Sequence, residues 1–232
     1  MSVFVISDLH LALQVEKPMD IFGGAWNDHV NRIQERWLDL IGPEDHVILP
    51  GDMSWGLKLE EAMADLNWIE ALPGTKYMVK GNHDLWWTSL SKLTKLFETI
   101  HFIQNVSYEG PDFIVGGTRG WICPGSEGFT QADRKIYERE LGRLKLSLED
   151  MERKDPQHQK LRIGVLHFPP TNERLMDSEF MELFERYGVS KVVYGHLHGK
   201  DAYKNGFQGM KNHVEYILTS CDRLECTPLR IL

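Results

Sequence analysis

VFVISDLH, residues 3–10, is the stretch on which the fold turns: an apolar, β-branched run, VFVIS, passes directly into Asp8 and His10. The apolar part reads as a short strand and the polar part as the group of residues that the strand delivers at its end. Similar runs recur at 46–50 (HVILP), 76–80 (KYMVK), 113–117 (FIVGG), 162–168 (RIGVLHF), 191–195 (KVVYG) and 214–218 (VEYIL). Between them the apolar residues change to helical spacing. Val30, Ile33, Trp37 and Leu40 form one such face, Leu59, Ala62, Leu66 and Ile69 a second, and Met176, Phe180, Leu183 and Tyr187 a third. The first half alternates strand and helix, whereas the last third is richer in strand and turn. A mixed, layered α/β architecture accounts for both better than a purely parallel sheet.

One domain spanning 1–232 is expected, because α/β domains of this length are common and no repeat or composition break divides the chain. A further helix is expected from about 132 to 153, where Tyr137, Leu141, Leu144, Leu148 and Met151 alternate steps of four and three among charges. Its plain reading is a solvated amphipathic helix. With its Gly/Pro-rich approach at 124–128, the segment around 124–156 is also read as a helical insertion or lid.

Composition narrows the function. The chain is 42% hydrophobic and 26% charged, and no apolar run approaches the roughly 20 residues that cross a bilayer. No membrane partner is expected. The N-terminus lacks a basic segment leading into a long apolar stretch, which predicts a cytoplasmic protein. Cys123, Cys221 and Cys226 form no CxxC pair and are read as reduced structural thiols. A net charge of −8 disfavours long nucleic acid as a partner and favours a small phosphorylated substrate, although bound divalent cations can reverse the local field.

The residues that can do chemistry stand at the C-terminal ends of the strands: Asp8 and His10 after the first, Asp52 after the second, Asn82, His83 and Asp84 after the third, His167 after RIGVL, and His196 and His198 after KVVY. Function in open α/β sheets gathers at such strand ends. Asp8, His10, Asp52, Asn82, His167, His196 and His198 make a mixed oxygen and nitrogen set suited to divalent transition metals. Seven ligands exceed the needs of one ion. A carboxylate such as Asp52 can bridge two cations about 3.5–4 Å apart, the spacing used for in-line displacement at phosphorus. Gly51, Gly81 and Gly195 precede ligands and are expected to permit tight turns or positive φ.

In order along the chain these blocks read Asp8-Leu9-His10, Gly51-Asp52, Gly81-Asn82-His83-Asp84, His167 and Gly195-His196-Leu197-His198. The set resembles the signature of the calcineurin-like metallophosphoesterases. The resemblance implies a four-layer αββα sandwich with two mixed β-sheets. It also implies two divalent metal ions; by ligand chemistry the carboxylates and the Asn amide admit Mn²⁺, the choice for assays, and the imidazoles favour Fe or Zn²⁺ as cellular alternatives. One metal would be held by Asp8, His10, Asp52 and His198, the other by Asp52, Asn82, His167 and His196. His83 would stabilise phosphoryl oxygens or protonate the leaving group, and Asp84 would orient that imidazole.

Where many relatives read G-D-x-x-D, here Trp55 takes the second Asp position, and the Arg of the protein Ser/Thr phosphatases has no counterpart there. Protein-phosphatase activity is therefore not expected. Arg119, in a turn after FIVGG, is a candidate phosphate contact. The main expectation is a dinuclear phosphohydrolase acting on a small phosphomonoester or phosphodiester, with a non-catalytic metal-binding scaffold and a nuclease as the alternatives. Trp55, Trp86 and Trp87 are read chiefly as packing residues.

Overall fold

The computed structural model describes residues 1–232, which form two compact units: 1–102 with 219–232, and 103–218. In the first, strands β1 (Val3–Val5), β2 (His46–Leu49), β3 (Thr75–Met78) and β4 (Ile100–Phe102) lie parallel, and β11 (Leu229–Arg230) pairs antiparallel with β1. Because β1, β2 and β3 are parallel, their C-terminal ends share one edge of the sheet. That places the residues next after all three strands along the same edge.

The crossovers are α1 (His29–Leu40) and α2 (Leu59–Ala71), with a short α3 (Leu90–Leu93) before β4. In α1 the apolar stripe buries Ile33 and Trp37 completely, and the Trp37 indole N–H donates to the Pro73 carbonyl at 2.9 Å. Each such side chain contributes about 2–3 kcal/mol by leaving water. In α2, Leu59, Ala62, Leu66 and Ile69 face the core, while Glu60 and Glu61 complement the positive end of the helix dipole. Pro73 comes directly after the last turn, where a helix cannot continue.

The second unit carries β5 (Ser107–Glu109), β6 (Phe113–Gly117), β7 (Leu161–Val165), β8 (Lys191–Tyr194), β9 (Gly209–Lys211) and β10 (Val214–Leu218) in the order β5-β6-β7-β8-β10-β9. The four inner strands are parallel and both outer pairs antiparallel. The fold class is thus α/β with two mixed sheets. The runs named from the sequence are strands in every case. The strands β4, β5, β9 and β11 lie outside those runs, since edge strands of two or three residues carry no periodicity and exist by pairing with a neighbour.

Helix α4 (Gln131–Lys154) opens with a capping box between Thr130 and Asp133. It packs on this unit through one buried face. Tyr137, Leu144, Leu148 and Met151 belong to the core, with Phe180 and Phe184 of α5 (Glu179–Arg186). The Ser147 hydroxyl accepts from the Gly117 N–H at 2.9 Å and donates to the Val106 carbonyl at 2.7 Å. The charges that suggested a free face occupy the other side, with Arg139, Lys145 and Arg153 exposed. No helix is long and apolar enough to cross a membrane. All three cysteines are buried free thiols, with Cys221 and Cys226 Sγ atoms 3.5 Å apart.

Asp150 near the end of α4 fastens β5. Burial by itself would raise its carboxyl, but hydrogen bonds from Lys154, the Ser107 N–H, Arg153 and the Ser107 hydroxyl hold it well below the usual carboxylate range. A depressed folded value means that the stabilisation is complete above the unfolded value of about 3.9 and fades as pH falls below it. Asp150→Asn is expected to lose about 1–2 kcal/mol at pH 7 and progressively less below pH 4. Urea midpoints at pH 7 and pH 3 check this; an equal deficit at both would show that the charge is not what matters.

Candidate metal centre

In the first unit the loops after β1 and β2 are zipped together by backbone bonds: Asp8 N–H to Gly51 O at 2.9 Å, His10 N–H to Asp52 O at 3.1 Å, Leu11 N–H to Met53 O at 2.9 Å and Trp55 N–H to Leu11 O at 2.9 Å. This pairing holds Asp8, His10 and Asp52 at φ of 58°, 44° and 58°, in the left-handed region. Such residues cost about 1 kcal/mol or more each and persist only where their surroundings over-determine them. The sequence reading gives positive φ to the glycines instead. Gly51 has it, at 89°, but Gly81 and Gly195 do not.

Gly81 serves a different need. A Cβ there would lie 2.0 Å from Asp52 Oδ1 and 2.2 Å from the Asp52 backbone N, so only hydrogen leaves room for that carboxylate. Asp8 places a carboxylate oxygen within 4.8 Å of a His10 ring nitrogen and of an Asp52 carboxylate oxygen, and His10 Nε2 lies 4.0 Å from Asp52 Oδ2. Asp8, His10 and Asp52 are all buried. Two buried carboxylates this close repel strongly at low dielectric unless positive charge joins them, and with an imidazole beside them the donor set fits a divalent transition ion. The Ser7 hydroxyl donates to Asp8 Oδ2 and accepts from Thr219 at 3.3 Å, fixing the carboxylate from behind. Asn82 and His83 are half-buried in the loop after β3, and the His83 N–H donates to Asp52 Oδ1 at 2.7 Å.

Asp84 has another role than the one expected of it. Its Oδ2 accepts from the N–H groups of Gly81 (2.7 Å) and Asp52 (2.9 Å), and its Oδ1 from Met53 (2.9 Å), Ser54 (3.3 Å) and the Trp86 indole (3.0 Å). Both oxygens are occupied by these donors, and none comes from the His83 ring. Burial and then the nearby Asp52 charge push its carboxyl up to about 6, against the pull of the backbone donors. The His83 ring instead packs 4.4 Å from Trp55, which also stacks on His10 at 4.8 Å. Trp55 therefore braces two site imidazoles.

In the second unit, β7 and β8 are parallel and their C-terminal ends carry His167 and the 195–199 turn. The His167 N–H donates to Arg119 O at 2.9 Å and its carbonyl accepts from Gly195 N–H at 3.1 Å. The His167 and His196 rings lie 5.1 Å apart, and His196 sits 4.2 Å from Phe168 at φ 73°. His198 is half-buried on the same turn. Arg119 is held in place: its Nη2 lies 3.5 Å from the buried Glu140 carboxylate and its guanidinium stacks over Trp121 at 4.6 Å.

Three supporting residues escape the sequence reading. Asp65 accepts from the Ser54 hydroxyl and from Leu13 N–H at 2.8 Å, tying α2 to the Asp52 loop, and burial raises its carboxyl above the ordinary value. Glu140 holds Arg119, Arg143 and the Thr118 hydroxyl, and Ser7 backs Asp8. The first two carry a signal, since each acid interrupts the apolar stripe of its helix.

A family model for calcineurin-like phosphoesterases matches residues 1–200. The chain belongs to the calcineurin-like phosphoesterase family. The matched span contains all five of the sequence blocks that carry Asp8, Asp52, Asn82, His167 and His196. This phosphoesterase is 36% identical over 84 residues to the Gene 66 protein of Mycobacterium phage D29, a span that covers 36% of the chain and only 40% of that relative. Its fold is similar to that of the phosphopantetheinyl hydrolase of Mycobacterium tuberculosis, at TM-score 0.59 and 15% identity over 100% of the chain and 95% of that protein. It is likewise similar to a protein of unknown function from Aquifex aeolicus, at TM-score 0.52 and 15% identity, covering 99% and 95% of the two chains.

Proposed function

We propose that the chain hydrolyses a small phosphomonoester or phosphodiester with two divalent cations, and that residues 1–232 make a single catalytic domain. Asp8, His10, Asp52, Asn82, His167, His196 and His198 are the residues that would hold the ions. The observation that carries this reading is the buried grouping of Asp8, His10 and Asp52, in which an Asp52 carboxylate oxygen and a His10 ring nitrogen each lie within 4.8 Å of an Asp8 carboxylate oxygen. The family match over all five blocks supports the full ligand set. When bound, the ions supply a water acidified toward neutrality and positive charge to offset that of the phosphoryl oxygens.

The chain's own residues do the rest. His83, braced by Trp55 and tied through its N–H to Asp52, is placed to donate to a phosphoryl oxygen or to hand a proton to the departing oxygen. Asp84 positions both the Asp52 and His83 loops without touching substrate. Arg119, fixed by Glu140 and Trp121, is the proposed second donor to the phosphate. Mn²⁺ is the proposed assay metal and the cytoplasm the proposed location.

Metal-stripped protein reloaded with Mn²⁺ or Zn²⁺ is expected to hydrolyse p-nitrophenyl phosphate or bis-p-nitrophenyl phosphate. EDTA should lower turnover at least about a hundredfold, and His83→Ala about a hundredfold or more with metal still bound. The preferred ester separates monoesterase from diesterase. Two bound ions with no turnover of either ester would move the chain to a binding module, and failure to bind metal would sink the ligand assignment.

A further inference from the structure

Beside His196 the second unit contains a pocket of about 150 Å³, with Phe168, Leu197 and Ile122 among its apolar lining and Ser126, Glu173 and Asn205 among its polar lining. Its volume falls below the roughly 300–1,000 Å³ of sites that take drug-sized ligands, so it suits a compact group. Its polar residues are of two kinds. The buried Asn172 amide is spent on the fold, donating to Pro124 O and accepting from the Arg174 and Met176 N–H groups. The Asn205 side chain, half-buried on a short turn, makes no hydrogen bond within the protein. Glu173 is exposed, and its Oε1 accepts from the Glu127 N–H at 2.9 Å. No Lys or Arg lines the pocket; Arg174 lies outside the lining, and its positive charge offsets part of that of the Glu173 carboxylate.

We propose that this pocket receives the leaving group of the ester, and that it selects a compact alcohol or phenol without negative charge, a cationic amine on that group improving the fit. The inference rests on the phosphoesterase reading, with His196 as a metal ligand at the pocket's edge. In the reaction water adds to phosphorus, the bond from phosphorus to the leaving oxygen breaks, and that oxygen departs with a proton as the free alcohol. Its carbon part lies against Phe168 and Leu197, the Asn205 amide offers a donor and an acceptor, and Glu173 sets the sign of charge that is tolerated. A nucleoside polyphosphate or a second phosphate that extends into the pocket, away from the metal ions, meets the Glu173 carboxylate and no cationic side chain of the lining, and is disfavoured.

The test compares two near-isosteric substrates, 4-(aminomethyl)phenyl phosphate and 4-(carboxymethyl)phenyl phosphate, each also as its methyl diester, on the full metal-loaded chain. Wild type is expected to favour the amine in kcat/KM by about fivefold or more, the effect of one partly exposed charge. In Glu173→Lys the ratio should invert, and in Glu173→Gln it should fall toward one. Because each ratio is taken within one variant, a general loss of activity does not distort it. A wild-type ratio near one, or a ratio that Glu173→Lys leaves unchanged, overturns the proposal. If neither ester turns over, the phosphoesterase reading fails, and saturation-transfer NMR with the free phenols decides the pocket by itself. Binding of 4-(aminomethyl)phenol that Glu173→Lys removes supports the assignment; no binding overturns it.

Discussion

Asp84→Ala is expected to lower the stability of metal-free protein by about 4 kcal/mol or more, and to cut phosphoester turnover at least about a thousandfold once metal is restored. Five N–H groups converge on this one buried carboxylate, from Gly81, Asp52, Met53, Ser54 and the Trp86 indole. Its removal leaves those donors in a place with no replacement acceptor, and each stranded buried donor costs about 1–3 kcal/mol before the loops relax. The activity falls further than the stability implies because the same loops hold Asp52 in its left-handed conformation and aim the His83 backbone at it. A displacement near 1 Å at a reacting group already costs about a hundredfold. Asp84→Asn should recover little, since its amide nitrogen turns a donor toward donors. Urea midpoints in EDTA, with the slope unchanged, report the stability separately from metal binding. A wild-type midpoint with lost turnover would mean that Asp84 acts in the chemistry itself and not by positioning the loops.

The second large effect is expected at Gly81. Gly81→Ala puts a methyl group 2.0 Å from Asp52 Oδ1 and 2.2 Å from the Asp52 backbone N, and the second of these is main chain that no side-chain rotation can move away. The loops after β2 and β3 must separate, at a cost of about 2–4 kcal/mol. The affinity for the first metal ion should fall about tenfold to a hundredfold, as when the support of a ligand is lost. Gly142→Ala is the matched control. It lies on the outer face of α4 with nothing within 4 Å of the added carbon, so alanine should stabilise that helix by about 0.5–1 kcal/mol. Thermal unfolding of the two variants with and without Mn²⁺ makes the comparison. Equal stability of both variants would remove the steric account of Gly81.

Much of this protein is legible without its structure. Each of the seven apolar runs is a strand and each of the four amphipathic patterns is a helix, because burial on a sheet requires a continuous apolar surface and that requirement is written locally. The ligand blocks are legible for a similar reason, since metal chemistry restricts residue type at the ends of strands. Less legible are the groups that support the site. Asp84 stands beside His83 in the sequence and invites assignment to it, yet its partners are the N–H groups of Asp52, Met53 and Ser54, some thirty residues away. The 124–156 segment resembles a cover because its charges are visible in the sequence and its hydrogen bonds to Val106, Ser107 and Gly117 are not.

The sequence by itself determined the α/β class, the chain order of elements and the chemical character of the metal-binding residues, since periodicity and residue type are properties of short stretches. Only the tertiary structure decided that Asp8, His10, Asp52 and His196 themselves take the left-handed conformation, that Gly81 is required by contact and not by φ, and that Asp84 and Glu140 are held acceptors inside their units. Those outcomes depend on which loops meet, and loops meet through the register of parallel strands, a property of pairs of segments far apart in the chain.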